Sequence, residues 1–224
     1  MITVHHLNNS RSQRLLWLLE ELGLEYQIKR YQRDAKTMLA PPELRQVHPL
    51  GKSPVLEEDG VTVAESGAIT EFVLDRHDPH GRLRSAPGTP ERLRLTYWLH
   101  YAEGSAMPPL LLALIFNRIP KAPMPFFARP VARGIAKAAM QSFIGPQLQL
   151  HLDFMEGELG KSTWFAGEQF SAADIQMSFV AEAFAARGGL DAGKPHLWAY
   201  LQRIHARPAY QRAVERGGPY TLLG

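Results

Sequence analysis

With 224 residues, of which 45% are hydrophobic, the chain is long enough to bury one large core or two small ones. The absence of cysteine excludes disulfides, thiolate metal sites and a cysteine nucleophile, and it fits a reducing compartment. A net charge of +3 on scattered basic residues does not point to nucleic acid; the start, Met1 to His6, lacks a signal-peptide pattern, and the longest strongly apolar run, Leu110 to Phe116, is too short to span a bilayer.

Ile2 to Leu7 is apolar and β-branched, which predicts a buried first strand. His5 and His6 fall on it and, without a second ligand cluster, read as structural rather than metal-binding. After the polar break Asn8-Asn9-Ser10, the spacing of Leu15, Leu18, Leu19 and Leu22 predicts a helix ended by Gly23. Ser10 and Gln13 have the capping-box spacing. The mouth of that helix is positive and favours a bound thiolate, which makes Asn9, Ser10 and Ser12 candidates to hold one. Arg14 is expected to pack its stem and anchor a carboxylate within the fold. Glu25 to Tyr31 reads as a second strand, Gln32 to Pro42 as a polar loop and Glu43 to Val47 as one helical turn.

The stretch from His48 to Gly67 carries the chemistry. Val55 to Glu57 and Val61 to Val63 read as short strands around a Glu58-Asp59-Gly60 turn. Pro54 opens the first of them, where a missing N–H is tolerated, and its peptide bond is a candidate for cis. Ser66 is the expected N-cap of a helix with Ile69, Phe72 and Val73 on one face. These residues suit an extended, peptide-like anion. Ser53 would pair with its backbone, Ser66 and the first helical N–H groups would hold a carboxylate, Glu65 an ammonium and Lys52 a carboxylate at the far end.

The composition changes between His77 and Pro90, where prolines and glycines mark a linker. The expected division is a domain over 1–78, a linker over 79–89 and an all-helical domain over 90–224. A long helix is expected from Glu91 to about Ile119, kinked at Pro108-Pro109. Another runs from Phe126 to about Leu159, broken near Pro130 and Gly145-Pro146. Arg129, Arg133 and Lys137 form a stripe on the second, read as a solvated face. Ser171 and Asp174 form a capping box that starts a buried helix, with Phe170 stapling onto Ile175. Leu197, Leu201 and Ile204 mark the next helix, and a short one finishes the chain before an irregular Gly217-Gly218-Pro219 tail.

The order of Ser10-Arg-Ser-Gln-Arg14, Pro49-Leu-Gly-Lys-Ser-Pro54, Ala64-Glu-Ser-Gly67 and Phe170-Ser-Ala-Ala-Asp174 resembles the cytosolic glutathione S-transferase family along essentially the full length. The likeness is greatest to a microbial branch whose first helix opens Ser-Arg-Ser-x-Arg. The resemblance implies an α/β, thioredoxin-like N-terminal domain, an all-helical C-terminal domain, a cytoplasmic homodimer and a role in detoxification. It implies that Lys52, Ser53, Glu65 and Ser66 bind glutathione as co-substrate and that Pro54 is the family's cis proline. The residue before that proline is commonly valine and here is Ser53. Counting back from Arg14, the serine or cysteine of several classes falls on Asn9, with Ser10 one residue later, so both stay candidates for the catalytic position.

The activity expected on this resemblance is conjugation of the glutathione thiolate to small hydrophobic electrophiles, with no metal and with neither nucleic acid nor membrane as partner. Tyr101, Met107, Leu111 and Phe116 are candidates to line the electrophile pocket, and Glu103 to reach the γ-glutamyl ammonium across the dimer. Two rivals stand beside it: a glutathione-dependent disulfide reductase or peroxidase using Asn9, and a non-catalytic glutathione or ligand-binding module.

Overall fold

A computed structural model describes residues 1–220 and Leu222. The N-terminal part is a four-stranded mixed sheet in the order β2-β1-β3-β4. β1 (Ile2–Leu7) lies parallel to β2 (Tyr26–Tyr31) and antiparallel to β3 (Val55–Glu58), which forms a hairpin with β4 (Val61–Ala64). Parallel pairing needs a crossover, and α1 (Ser12–Leu22) supplies it. Gly23 ends that helix in the left-handed conformation (φ 70°). With α2 (Leu44–Val47) and α3 (Ser66–His77), this is a thioredoxin-like domain.

The hairpin turn is tighter than expected. Glu58 pairs with Val61 as part of β3, so Asp59 (φ 50°) and Gly60 (φ 80°) form a two-residue loop. Positive φ at both positions matches the twist of the flanking strands.

Residues 78–89 hold neither helix nor strand. They are nonetheless pinned, because Asp78 accepts the N–H groups of Arg82 and Leu83, while the Leu83 carbonyl accepts from Ala172 N–H. Everything beyond is helical. α4 (Pro90–Tyr101) and α5 (Met107–Arg118) are joined through a π-helical turn, Ala102–Ala106. The interruption therefore lies just before Pro108-Pro109 rather than at them. Neither proline offers the N–H that the carbonyls of Gly104 and Ser105 would accept in an α-helix, so the ladder widens upstream. α6 (Arg129–Ala139) and α7 (Gly145–Leu159) repeat the pattern through Met140–Ile144, ahead of Pro146. Phe126–Ala128 is a 3-10 turn rather than the opening of α6. The Arg129, Arg133 and Lys137 stripe is exposed.

α8 (Ala172–Arg187) is the centre of this half and is buried continuously from Ala172 to Phe184. Its capping box forms as expected: Ser171 Oγ accepts from Ala173 N–H, and Asp174 Oδ2 accepts the Ser171 N–H at 2.9 Å. Phe170 packs on Trp17 and Trp164, with the Arg207 guanidinium 3.6 Å over its ring. α9 (Pro195–His205) and α10 (Pro208–Gly217) follow, and α10 returns against α1. Trp17 is fully buried there, edge-on to Tyr210 at 5.2 Å. Among the described residues no helix is long and apolar enough to cross a membrane.

Candidate functional site

The site forms where the mouth of α1, the turn into β3 and the entry of α3 converge. The Ser53–Pro54 peptide bond is cis. The Ser53 hydroxyl donates to the His5 carbonyl (2.8 Å) and accepts from Leu7 N–H (3.2 Å), so the side chain is tied to β1 while the residue lines the cleft.

At the far side, Glu65 rather than Ser66 occupies the cap position of α3, with φ 70°. Ser66 is already the first helical residue. It is not a cap because its oxygen is engaged from below, by Arg14 Nη2 at 3.1 Å and Gln176 Nε2 at 3.2 Å. Ser66 is buried, whereas Glu65 and Lys52 are exposed. Lys52, Ser53, Pro54, Glu65 and Ser66 surround one cavity of about 190 Å³, which Arg11 and Glu103 complete. A second cavity of about 410 Å³ shares Glu65 and Glu103 and runs between α3 and α4 past Glu71, Leu99 and His100.

Glu103 joins the two halves of the molecule. It stands on the π turn and accepts from Arg11 Nε through both oxygens, at 2.9 and 2.8 Å, and from Arg14 Nη2. Arg14 also donates to the Gln176 carbonyl at 2.5 Å, so the expected internal carboxylate anchor is Glu103. Burial alone would raise the Glu103 carboxyl, but the charges of Arg14 and Arg11 and their hydrogen bonds outweigh it and hold it below the usual range. Glu103 is thus an ionised internal partner within its own chain.

The two α1-entry candidates stand at the mouth of α1 without lining the smaller cavity. Asn9 has φ 49° and is half-buried. Ser10 is 4% exposed; its Oγ accepts from Ser12 N–H at 3.2 Å and pairs with Ser12 Oγ at 2.8 Å. Ser12 Oγ in turn meets His6 Nδ1 at 2.9 Å. Burial, helped by the nearby Arg30 charge, pushes His6 down to about 4, so the ring is neutral. Neither Asn9 nor Ser10 lines the 190 Å³ cavity. The expected capping box is not made: Gln13 N–H reaches the Ser10 carbonyl, and the Gln13 amide is buried beside Gly217 without a hydrogen-bond partner among the described residues.

The four candidates for an electrophile pocket are set apart from both cavities. Tyr101 is buried in the bundle, bonded to His151 Nδ1 at 2.6 Å and packed on Tyr97 and Phe154. Met107 is buried, Leu111 is 51% exposed and Phe116 packs half-buried against the core. Sequence reasoning passed over Arg11 and Gln176. Gln176 stands with Asp174, Ser178 and Glu182 among the apolar residues of α8, and each such polar side chain is a signal that a polar group meets it. Among the described residues no grouping of His, Asp and Glu side chains is placed to hold a metal ion.

Known proteins resemble this chain along most of its length. The N-terminal glutathione S-transferase domain matches residues 1–75 and the C-terminal domain matches residues 129–208. Glutathione S-transferase 1 of Saccharomyces cerevisiae is 37% identical over 96% of this chain and 95% of its own. A glutathione S-transferase structure from Actinobacillus pleuropneumoniae has a TM-score of 0.83 at 35% identity, over 99% of this chain and 95% of that one. A sphingomonad glutathione S-transferase complexed with glutathione has a TM-score of 0.74 at 26% identity, covering 96% and 98%.

Proposed function

Because this chain belongs to the glutathione S-transferase family, we propose that it conjugates glutathione to small hydrophobic electrophiles. The observation that carries this reading is the convergence of Lys52, Ser53, Pro54, Glu65 and Ser66 on one cavity. Lys52 takes the glycine carboxylate, and the Ser53 backbone pairs with the cysteinyl backbone as an added strand would. Glu65 takes the γ-glutamyl ammonium. Ser66 and the first free N–H groups of α3 take the carboxylate beside it, in the positive end of the helix dipole. The thiol then projects from the middle of the ligand, at the mouth of α1, where positive potential favours the thiolate. That thiolate attacks an electrophilic carbon, a C–S bond forms, and the displaced group leaves with the electron pair.

Calorimetry with glutathione, followed by turnover of an activated chloronitroarene, tests it. Wild type is expected to bind and turn over. Lys52→Ala and Glu65→Gln are each expected to weaken binding about tenfold, through loss of one charge-assisted contact of roughly 1.4 kcal/mol. Absence of glutathione binding in wild type overturns the reading, and binding without turnover moves it to a carrier.

The inward engagement of the Ser10 hydroxyl favours a second reading, disulfide reduction with Asn9 at the sulfur. Turnover of a glutathione mixed disulfide, with the chloronitroarene inert, would select it. Both readings carry a homodimer in a reducing, cytoplasmic setting, the two halves meeting at residues 79–89, with Tyr101, Met107, Leu111 and Phe116 kept as electrophile-side candidates.

A further inference from the structure

Resting on the glutathione reading above, we infer that Arg11 is the side chain that faces the thiolate of bound glutathione. The charged ends of the ligand claim the charged groups at the ends of the cavity, Lys52 and Glu65. Of the titratable side chains on the wall of the cleft, that leaves His48 and the Arg11–Glu103 pair. Of the three residues at the α1 entry, Arg11 lines the cavity, whereas Asn9 and Ser10 do not.

The charge around Arg11 is unbalanced in the required sense. Glu103 is shared between Arg11 and Arg14, two guanidiniums to one carboxylate. Arg33 and Arg187 add positive charge within electrostatic range of Arg11, and Phe179 of α8 lies under its guanidinium at 5.4 Å. A sulfur held in the middle of the cleft completes this group as a second anion. The Arg11 side chain is 37% exposed and one of its nitrogens is bonded to Glu103, which leaves the others to turn toward the ligand. Ser10, by contrast, holds its hydroxyl inward in the chain Ser10–Ser12–His6 and serves the helix entry.

The test is an ultraviolet titration of the bound glutathione thiol in wild type, Arg11→Gln, Arg11→Lys, Ser10→Ala and Asn9→Ala, with glutathione affinity measured separately. Arg11→Gln is expected to raise the apparent thiol pKa by about one unit and to weaken glutathione affinity up to about tenfold above that pKa, with little change below it, where the thiol form binds. Arg11→Lys, which keeps the charge, should restore most of the shift. Glu103→Gln, which removes the competing anion, should move the pKa the opposite way. An unchanged pKa in Arg11→Gln, with a rise in Ser10→Ala or Asn9→Ala, overturns the inference and leaves the glutathione reading standing. Failure of wild type to bind glutathione removes both.

Discussion

His6 is a neutral imidazole sealed under the α1 entry, and that has a pH consequence. Its pKa is pushed down to about 4 by burial, so the unfolded chain takes up a proton before the folded one does. The stability it contributes is complete above about 6.5 and is lost as pH falls toward 4. At full extent the loss is about 3 kcal/mol, from the per-unit value of 1.36 kcal/mol. Urea unfolding at pH 7 and pH 4.5 should show this slope in wild type and a flatter one in His6→Gln; equal slopes would refute it. None of this chain was legible beforehand. His6 and Ser12 sit on different elements, and the Ser10/Gln13 spacing pointed to a cap instead. Only half of that box forms: Ser10 Oγ accepts Ser12 N–H at the helix entry, but the Gln13 amide is buried beside Gly217 and does not reach back.

Helix starts and stops were readable where a side chain acts on its own neighbours. Gly23 and the Ser171/Asp174 box are local devices, and each stands where its pattern placed it. Asp174 does more than cap: its Oδ1 also accepts Phe165 N–H at 2.9 Å, joining the Trp164–Gly167 turn to α8. Asp174→Ala should therefore cost about 2–4 kcal/mol, through two orphaned buried N–H groups, against about 1 kcal/mol for Ser171→Ala. Comparable losses in denaturant melts of the two variants would show that the Phe165 contact contributes little. The π turns were harder to see, because the prolines that signal a break exert it on carbonyls four residues earlier. That displacement puts Glu103 on the π turn that meets both arginines of α1.

Across the whole molecule, the succession of strands and helices along the chain and the helical second half followed from periodicity and punctuation, while the join between the halves did not. Its contacts are far apart in sequence: Trp17 against Phe170 and Tyr210, and Glu20 and Glu21 against Arg207, Arg212 and Arg216. Fully buried Trp17 is a core residue of both halves at once. The two halves should unfold in a single transition, with tryptophan fluorescence and far-ultraviolet circular dichroism superimposing. Trp17→Ala should cost about 3–5 kcal/mol and separate those two curves. Non-coincident transitions in wild type would show that α1 is not shared in this way. The residues proposed to bind glutathione were easy to group beforehand because they lie within twenty positions and line one cavity; Arg11, Glu103 and Gln176 reach it only through the fold.

Glu65 stands in a left-handed backbone conformation that glycine adopts freely and a glutamate resists. If Glu65 takes the ammonium as proposed, the chain and the ligand want different residues at this one position. Glu65→Gly should make the protein harder to unfold by up to about 1 kcal/mol while leaving it without the carboxylate for the ammonium. On that binding mode, selection for heat resistance alone would drift toward a sturdier protein with weaker hold on the tripeptide, and only selection for binding would keep the awkward residue in place.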